Sequence, residues 1–252
     1  MLTQDRIDLS KRKVGSIVDA LVTLQQVREN NELILYSDLL SKQVGKSYAA
    51  HSFNIVQACL FESEVVRVCA LWDPAGGERQ ARDRDSIPAV AWLVSDEAIE
   101  ALGAALIDDR CRKEFVQLNP PLDPKEADYQ TAALGRIREK RARDEASELM
   151  KRLKAVRERI AEIECSDLQT GLRRFRDQYV AHALASRAGD SKVEVVTPKY
   201  GDEKKLFEQS IEVIKELYYG VCDSSYGWDM AGEHSRRYAS ALLSKCQLNI
   251  LE

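Results

Sequence analysis

Apolar residues recur at spacings of three and four along nearly the whole chain, and this pattern commits it to helices. Between Asp8 and Glu29, Val14, Ile17, Val18, Leu21, Leu24 and Val27 fall on one face. A second helix is expected from about Ser37 to Trp72. Its centre, "FNIVQACLFESEVVRVCAL", is apolar on most sides, which predicts the buried middle of a bundle. A short helix follows from about Ser95, with Asp96 and Glu97 in the first turn, where the helix dipole favours acids. Asp123, Pro124 and Glu126 have the pattern of an N-cap, a first-position proline and a capping-box acid. The long helix they open runs to about Glu164 on a stripe of Leu149, Leu153, Val156, Ile160 and Ile163. Ser166 and Gln169 form another capping-box pair, opening a helix from about 167 to 188 that ends before Gly189. Two more helices are expected, from Asp202 to about Tyr219 and from about Asp229 to Leu248.

Breaks are few, because only 12 Gly and 6 Pro occur in 252 residues. Exposed loops are expected at about 73–86, "DPAGGERQARDRDS", and about 186–201, the second with room for one short strand. No internal repeat or second domain is signalled. The expectation is an all-α protein, a single helical domain over 1–252.

The formal net charge of −4 excludes a generic polyanion binder, so any nucleic-acid surface has to be a local patch. Leu134 to Arg159 holds ten Lys or Arg against five Asp or Glu, which reads first as a solvated helix face. Six cysteines, Cys59, Cys69, Cys111, Cys165, Cys222 and Cys246, form no C-x-x-C pair and none has a histidine at zinc-ligand spacing. Most lie among apolar neighbours, as Cys59 does in "VQACLF", and so are expected to be reduced core thiols of a cytoplasmic protein without a metal or other cofactor. The opening "MLTQDRIDLSKRK" has no apolar signal core, and no run approaches the ~20 apolar residues that span a bilayer. "SKQVGKS" contains Gly-Lys-Ser but lacks the first glycine and the preceding strand of a phosphate-binding loop.

The stretch "FRDQYVAHALAS", Phe175 to Ser186, carries the candidate chemistry. With 22 arginines in the chain, an arginine upstream of a histidine is uninformative by itself. The neighbours say more. Leu168, Leu172, Phe175 and Tyr179 form a docking stripe, and His182 continues it by three. Ala181 and Ala183 flank the histidine and would let another helix approach. Arg173, Arg174, Arg176 and Arg187 surround it with positive charge. On these residues alone, His182 also reads as a partly buried histidine hydrogen-bonded inside the bundle.

The stretch resembles the signature of the HEPN superfamily (higher eukaryotes and prokaryotes nucleotide-binding domains), which is an arginine, a polar residue, a few positions and a histidine on a late helix. Asp177 fills the polar position, where Asn is more usual. Within the superfamily the chain is most similar to the AbiU-type abortive-infection branch. "VVRVCALWDPAGGERQARDRDSIPAVAWLV" is similar to that branch's helix ending in Leu-aromatic-Asp with its following loop and helix. "TPKYGDEKKLFEQSIEVIKELY" is similar to its segment after the motif.

The resemblance implies a HEPN-type bundle with a long hairpin-forming helix and extra flanking helices. It also implies a metal-independent endoribonuclease, a toxin or phage-defence effector that works as a homodimer on RNA, with an antitoxin as an option. The catalytic residues would be Arg176, His182 and Asp177, and Arg173, Arg174 and Arg187 would bind RNA. Histidine titrates near neutrality and can move the 2′-hydroxyl proton, while arginine braces phosphate oxygens as charge builds. Residues six apart on a straight helix differ by about 600°, or ~120° around the axis, which favours a site assembled where two copies meet. Two readings compete with this one: a non-catalytic HEPN module that binds RNA or dimerises, and a helical adaptor unrelated to nucleic acid.

Overall fold

The computed structural model describes residues 1–112, 124–177 and 198–243. Among them run ten helices: α1 (Thr3–Leu35), α2 (Asp38–Val44), α3 (Ala49–Ala70), α4 (Glu78–Asp83), α5 (Ile87–Leu93), α6 (Asp96–Arg112), α7 (Pro124–Glu164), α8 (Asp167–Phe175), α9 (Asp202–Cys222) and α10 (Trp228–Leu243). The described chain is all-α.

The predicted stripe of α1 is its core face. Val14, Ile17, Val18, Leu21 and Leu24 are buried, and α1 packs against α3, α5, α6, α9 and α10. Each such side chain contributes ~1.5–3 kcal/mol on leaving water, so the stripe is what holds α1 central. Asn31 fixes the register with α3 by donating from Nδ2 to Glu64 Oε1 at 2.8 Å.

The long helix forms the expected hairpin. Asp96 meets Arg157, Gly103 faces Met150, Arg110 meets Glu145 and Cys111 accepts from Arg138, so α6 and α7 run antiparallel. Leu149, Leu153, Val156, Ile160 and Ile163 are all buried. The basic run of α7 is answered by acids: Arg143 pairs with Glu139, Arg152 with Glu216, Arg157 with Asp96 and Arg159 with Glu212. Such exposed pairs contribute ~0–1 kcal/mol each, and they orient the hairpin more than they stabilise it.

Four expectations are corrected. The helix expected from Ser37 to Trp72 is two helices, because Gly45 adopts φ 54° and ends α2. That left-handed backbone is open to glycine and strained for other residues. The "buried middle" is half right: Phe61, Val65, Val68 and Cys69 are buried, whereas Ile55 is 51% and Val56 47% exposed. An apolar sequence alone does not supply neighbours for every face. The loop expected over 73–86 contains α4, with Ala81 buried, and is followed by the unforeseen α5. Cysteines are also less buried than expected: Cys69 is buried, but Cys59, Cys111 and Cys165 are exposed. Cys246 lies outside the described residues, as do the predicted end of the α8 region, Asp123 and most of the 186–201 loop.

α9 closes the bundle by running antiparallel to α7. A Cβ at Gly220 would collide with the side chain of Leu153, meeting its Cγ at 2.8 Å. Gly220→Ala is expected to lower stability by ~1–3 kcal/mol through overpacking. Gly103→Ala meets the flexible thioether of Met150 instead, at 2.9 Å, and is expected to leave the melting temperature unchanged or raised. Thermal unfolding of both variants checks this contrast.

Candidate active site

Leu71, Trp72 and Asp73 follow the C-terminus of α3, and their polar groups are distributed among three other helices. The Leu71 carbonyl accepts from Ile87 N–H at 2.7 Å, at the start of α5. The Trp72 ring is fully buried, and its Nε1 donates to Ser210 Oγ of α9 at 2.8 Å. The Trp72 carbonyl accepts from Arg173 Nη2 of α8 at 2.7 Å. The Asp73 carbonyl accepts from Ser86 Oγ at 2.7 Å, and the same oxygen caps α5 by accepting from Ala89 N–H at 3.3 Å. The Asp73 carboxylate accepts from Arg176 Nη1 at 2.9 Å.

α8 starts where the serine was expected, because Ser166 Oγ accepts from Gln169 N–H at 3.2 Å. The reciprocal half of the capping box is absent. The Gln169 side chain is buried, with no partner for either amide atom among the described residues. Leu172 is fully buried, Leu168 and Phe175 pack at the core edge, and Phe175 meets Phe61 edge-on at 5.7 Å. Regular α geometry ends at Phe175, and Arg176 and Asp177 form a wider, π-type turn. Such turns recur at functional sites. The expected ~120° offset from Arg176 to His182 lies outside the described residues, as His182 does.

The Arg176 side chain is 20% exposed and lies between two carboxylates, with Nε donating to Asp177 Oδ1 at 2.8 Å and Nη1 to Asp73. Burial opposes its charge, but the hydrogen bonds to Asp73 and Asp177 outweigh burial and raise its pKa above the ordinary value. The guanidinium is therefore a permanent, positioned cation. Cys69 lies within its field, yet burial pushes that thiol up to about 12 against the pull of Arg176 and Arg173. It is inert as a nucleophile at neutral pH.

The other candidates separate. Arg173 is part-buried and tied to the Trp72 carbonyl, while Arg174 is exposed on α8. His182 and Arg187 lie outside the described residues. Of the other histidines, His51 and His234 are exposed on α3 and α10. Among the described residues no group of three or more His, Cys, Asp or Glu could hold a metal ion. No described helix is long and apolar enough to cross a membrane. In the sequence Asp73 is visible only as the end of Leu-aromatic-Asp. Its role was not legible, because its partner lies 103 positions away.

The all-α bundle, built on an antiparallel long hairpin, is of the HEPN type. The AbiU2 family of HEPN domains matches residues 12–242, and the chain belongs to this family of abortive-infection proteins. No curated protein and no solved structure matches it.

Ser210 carries the connection from Trp72 to α9. Ser210→Ala leaves the buried indole N–H without its acceptor and is expected to cost ~1–3 kcal/mol of stability. Chemical denaturation followed by tryptophan fluorescence measures it.

Proposed function

We propose that the chain is a metal-independent endoribonuclease, acting as a homodimer in toxin or phage-defence settings. The observation that supports it is Arg176, a permanently charged, partly buried guanidinium fixed by Asp73 and Asp177 at the end of α8. In this reading Arg176 braces the phosphate that is attacked, and His182 takes the proton of the adjacent 2′-hydroxyl. Asp177 orients the guanidinium. The 2′-oxygen bonds to phosphorus as the bond from phosphorus to the 5′-oxygen breaks, and the departing oxygen takes a proton from water, leaving 2′,3′-cyclic phosphate and 5′-hydroxyl ends. Arg174 and Arg187 take flanking phosphates, with Arg173 contributing what its bond to Trp72 leaves over. The antitoxin partner belongs to the same reading.

One observation favours a second reading. Two carboxylates already engage Arg176 and reduce its pull on an incoming phosphate. A non-catalytic HEPN module that binds RNA or dimerises would tolerate this.

Cleavage separates the two. The proposal expects RNA cleavage in excess EDTA, lowered ~10²–10⁴-fold by His182→Ala and by Arg176→Ala, with the helical circular dichroism unchanged. Salt-sensitive RNA binding without cleavage would establish the second reading instead. Strict magnesium dependence would contradict the chemistry.

A further inference from the structure

We infer that Lys13 of α1 is a positioning residue for Arg176, acting through the loop that joins α3 to α5. Its consequence for catalysis rests on the ribonuclease proposal, whereas its effect on the Arg176 guanidinium does not.

The loop closes on itself. Ile87 N–H donates to the Leu71 carbonyl at 2.7 Å, Ser86 Oγ to the Asp73 carbonyl at 2.7 Å and Arg84 Nη1 to the Pro74 carbonyl at 2.9 Å. Its last residues thus return to its first, as the ends of an Ω-type loop do. Asp73 sits inside this closure and offers its carboxylate to Arg176 Nη1. Where the closed loop lies therefore decides where that carboxylate lies.

α1 fixes the closed loop. Lys13 Nζ donates to the Arg84 carbonyl and to Asp85 Oδ1, each at 2.8 Å, and Ser16 Oγ donates to Asp85 Oδ2 at 2.8 Å. The Lys13 side chain is only 5% exposed, beside the core residues Val14 and Ile17. A buried ammonium is costly unless it is paired and hydrogen-bonded, and both of these partners of Lys13 belong to the loop. Burial opposes the Asp85 charge, but the hydrogen bonds from Lys13 and Ser16 outweigh it and hold its pKa below the ordinary carboxylate value. The pair is therefore charged at neutral pH, and the loop cannot slide along α1 without stranding the ammonium. The connection runs from Lys13 through residues 84–86 to Asp73 and ends on the guanidinium. Arg173 provides the contrast. It bonds the carbonyl of Trp72, whose ring is held from α9 by Ser210.

Nitrogen-15 NMR of the full chain tests this. The two Nη atoms of an arginine give separate resonances when hydrogen bonds stop the guanidinium from rotating, and one averaged resonance when it turns freely. Arg176→Ala and Arg173→Ala assign the signals. Separate Arg176 resonances are expected in the wild type. They should merge in Lys13→Met and in Asp85→Ala, with the Arg173 signals unmoved and the helical circular dichroism unchanged. The Asp85 side chain is 51% exposed, so Asp85→Ala decides if Lys13→Met fails to fold. Arg176 resonances that are merged in the wild type, or that stay separate in the variants, overturn the inference. So do Arg173 signals that change in step with them, since that marks a general loosening. Under the ribonuclease proposal, Asp85→Ala should also lower kcat about 10–100-fold with KM changed less than about twofold, because the guanidinium acts on charge that builds in the transition state. A rise in KM with kcat unchanged overturns the positioning role. A wild type that cleaves no RNA overturns the ribonuclease proposal by itself, and the resonances then decide this inference with the same two results.

Discussion

The buried Trp72 is the joint on which the bundle turns. Its indole reaches α9, its carbonyl reaches α8, and its two neighbours hold α5 and Arg176. Polar groups withdrawn from water need partners, and here the partners are spread over three other helices, α5, α8 and α9. Shifting any one of α3, α5, α8 or α9 therefore unpairs a buried group elsewhere. That constraint carries the position of Asp73, and through Asp73 the position of the Arg176 guanidinium. Structure and candidate chemistry share the same few bonds.

Charge is organised to suit this arrangement. A chain with a net charge of −4 has no general attraction for RNA, and the arginines of α7 are mostly paired with acids on α6, α9 or α7 itself. Positive charge free of such pairing is local, as at exposed Arg174. Arg176 differs from both groups, since its carboxylates hold it in place within a partly buried setting. Under the ribonuclease proposal, an incoming phosphate competes with Asp73 and Asp177 for the same planar cation. Binding and catalysis then depend on how firmly those two acids are themselves held.

Much of the fold was legible because amphipathic stripes report it locally. α1 and α7 show their core faces in sequence, and Pro124 and Glu164 bound α7 as expected. Legibility failed where tertiary context decides. The exposed half of α3 has the same apolar composition as its buried half, and the difference is only which helices lie beside it. α5 was hidden behind a charged loop, although Ser86 before Ile87–Pro88 is an N-cap signature. At the site, Arg176 was visible through the family motif. Neither the π-type turn nor the bond to Asp73 has a local signal, because both arise from how α8 meets the end of α3.

The central claim is that Asp73 and Arg176 act as one unit, which, under the ribonuclease proposal, a double-mutant cycle on RNA cleavage rate tests directly. The account predicts that Asp73→Ala sharply slows cleavage with little loss of helicity, and that adding Arg176→Ala to it slows cleavage little further. Losses that multiply as independent effects, or an Asp73→Ala protein that cleaves at the wild-type rate, would contradict it.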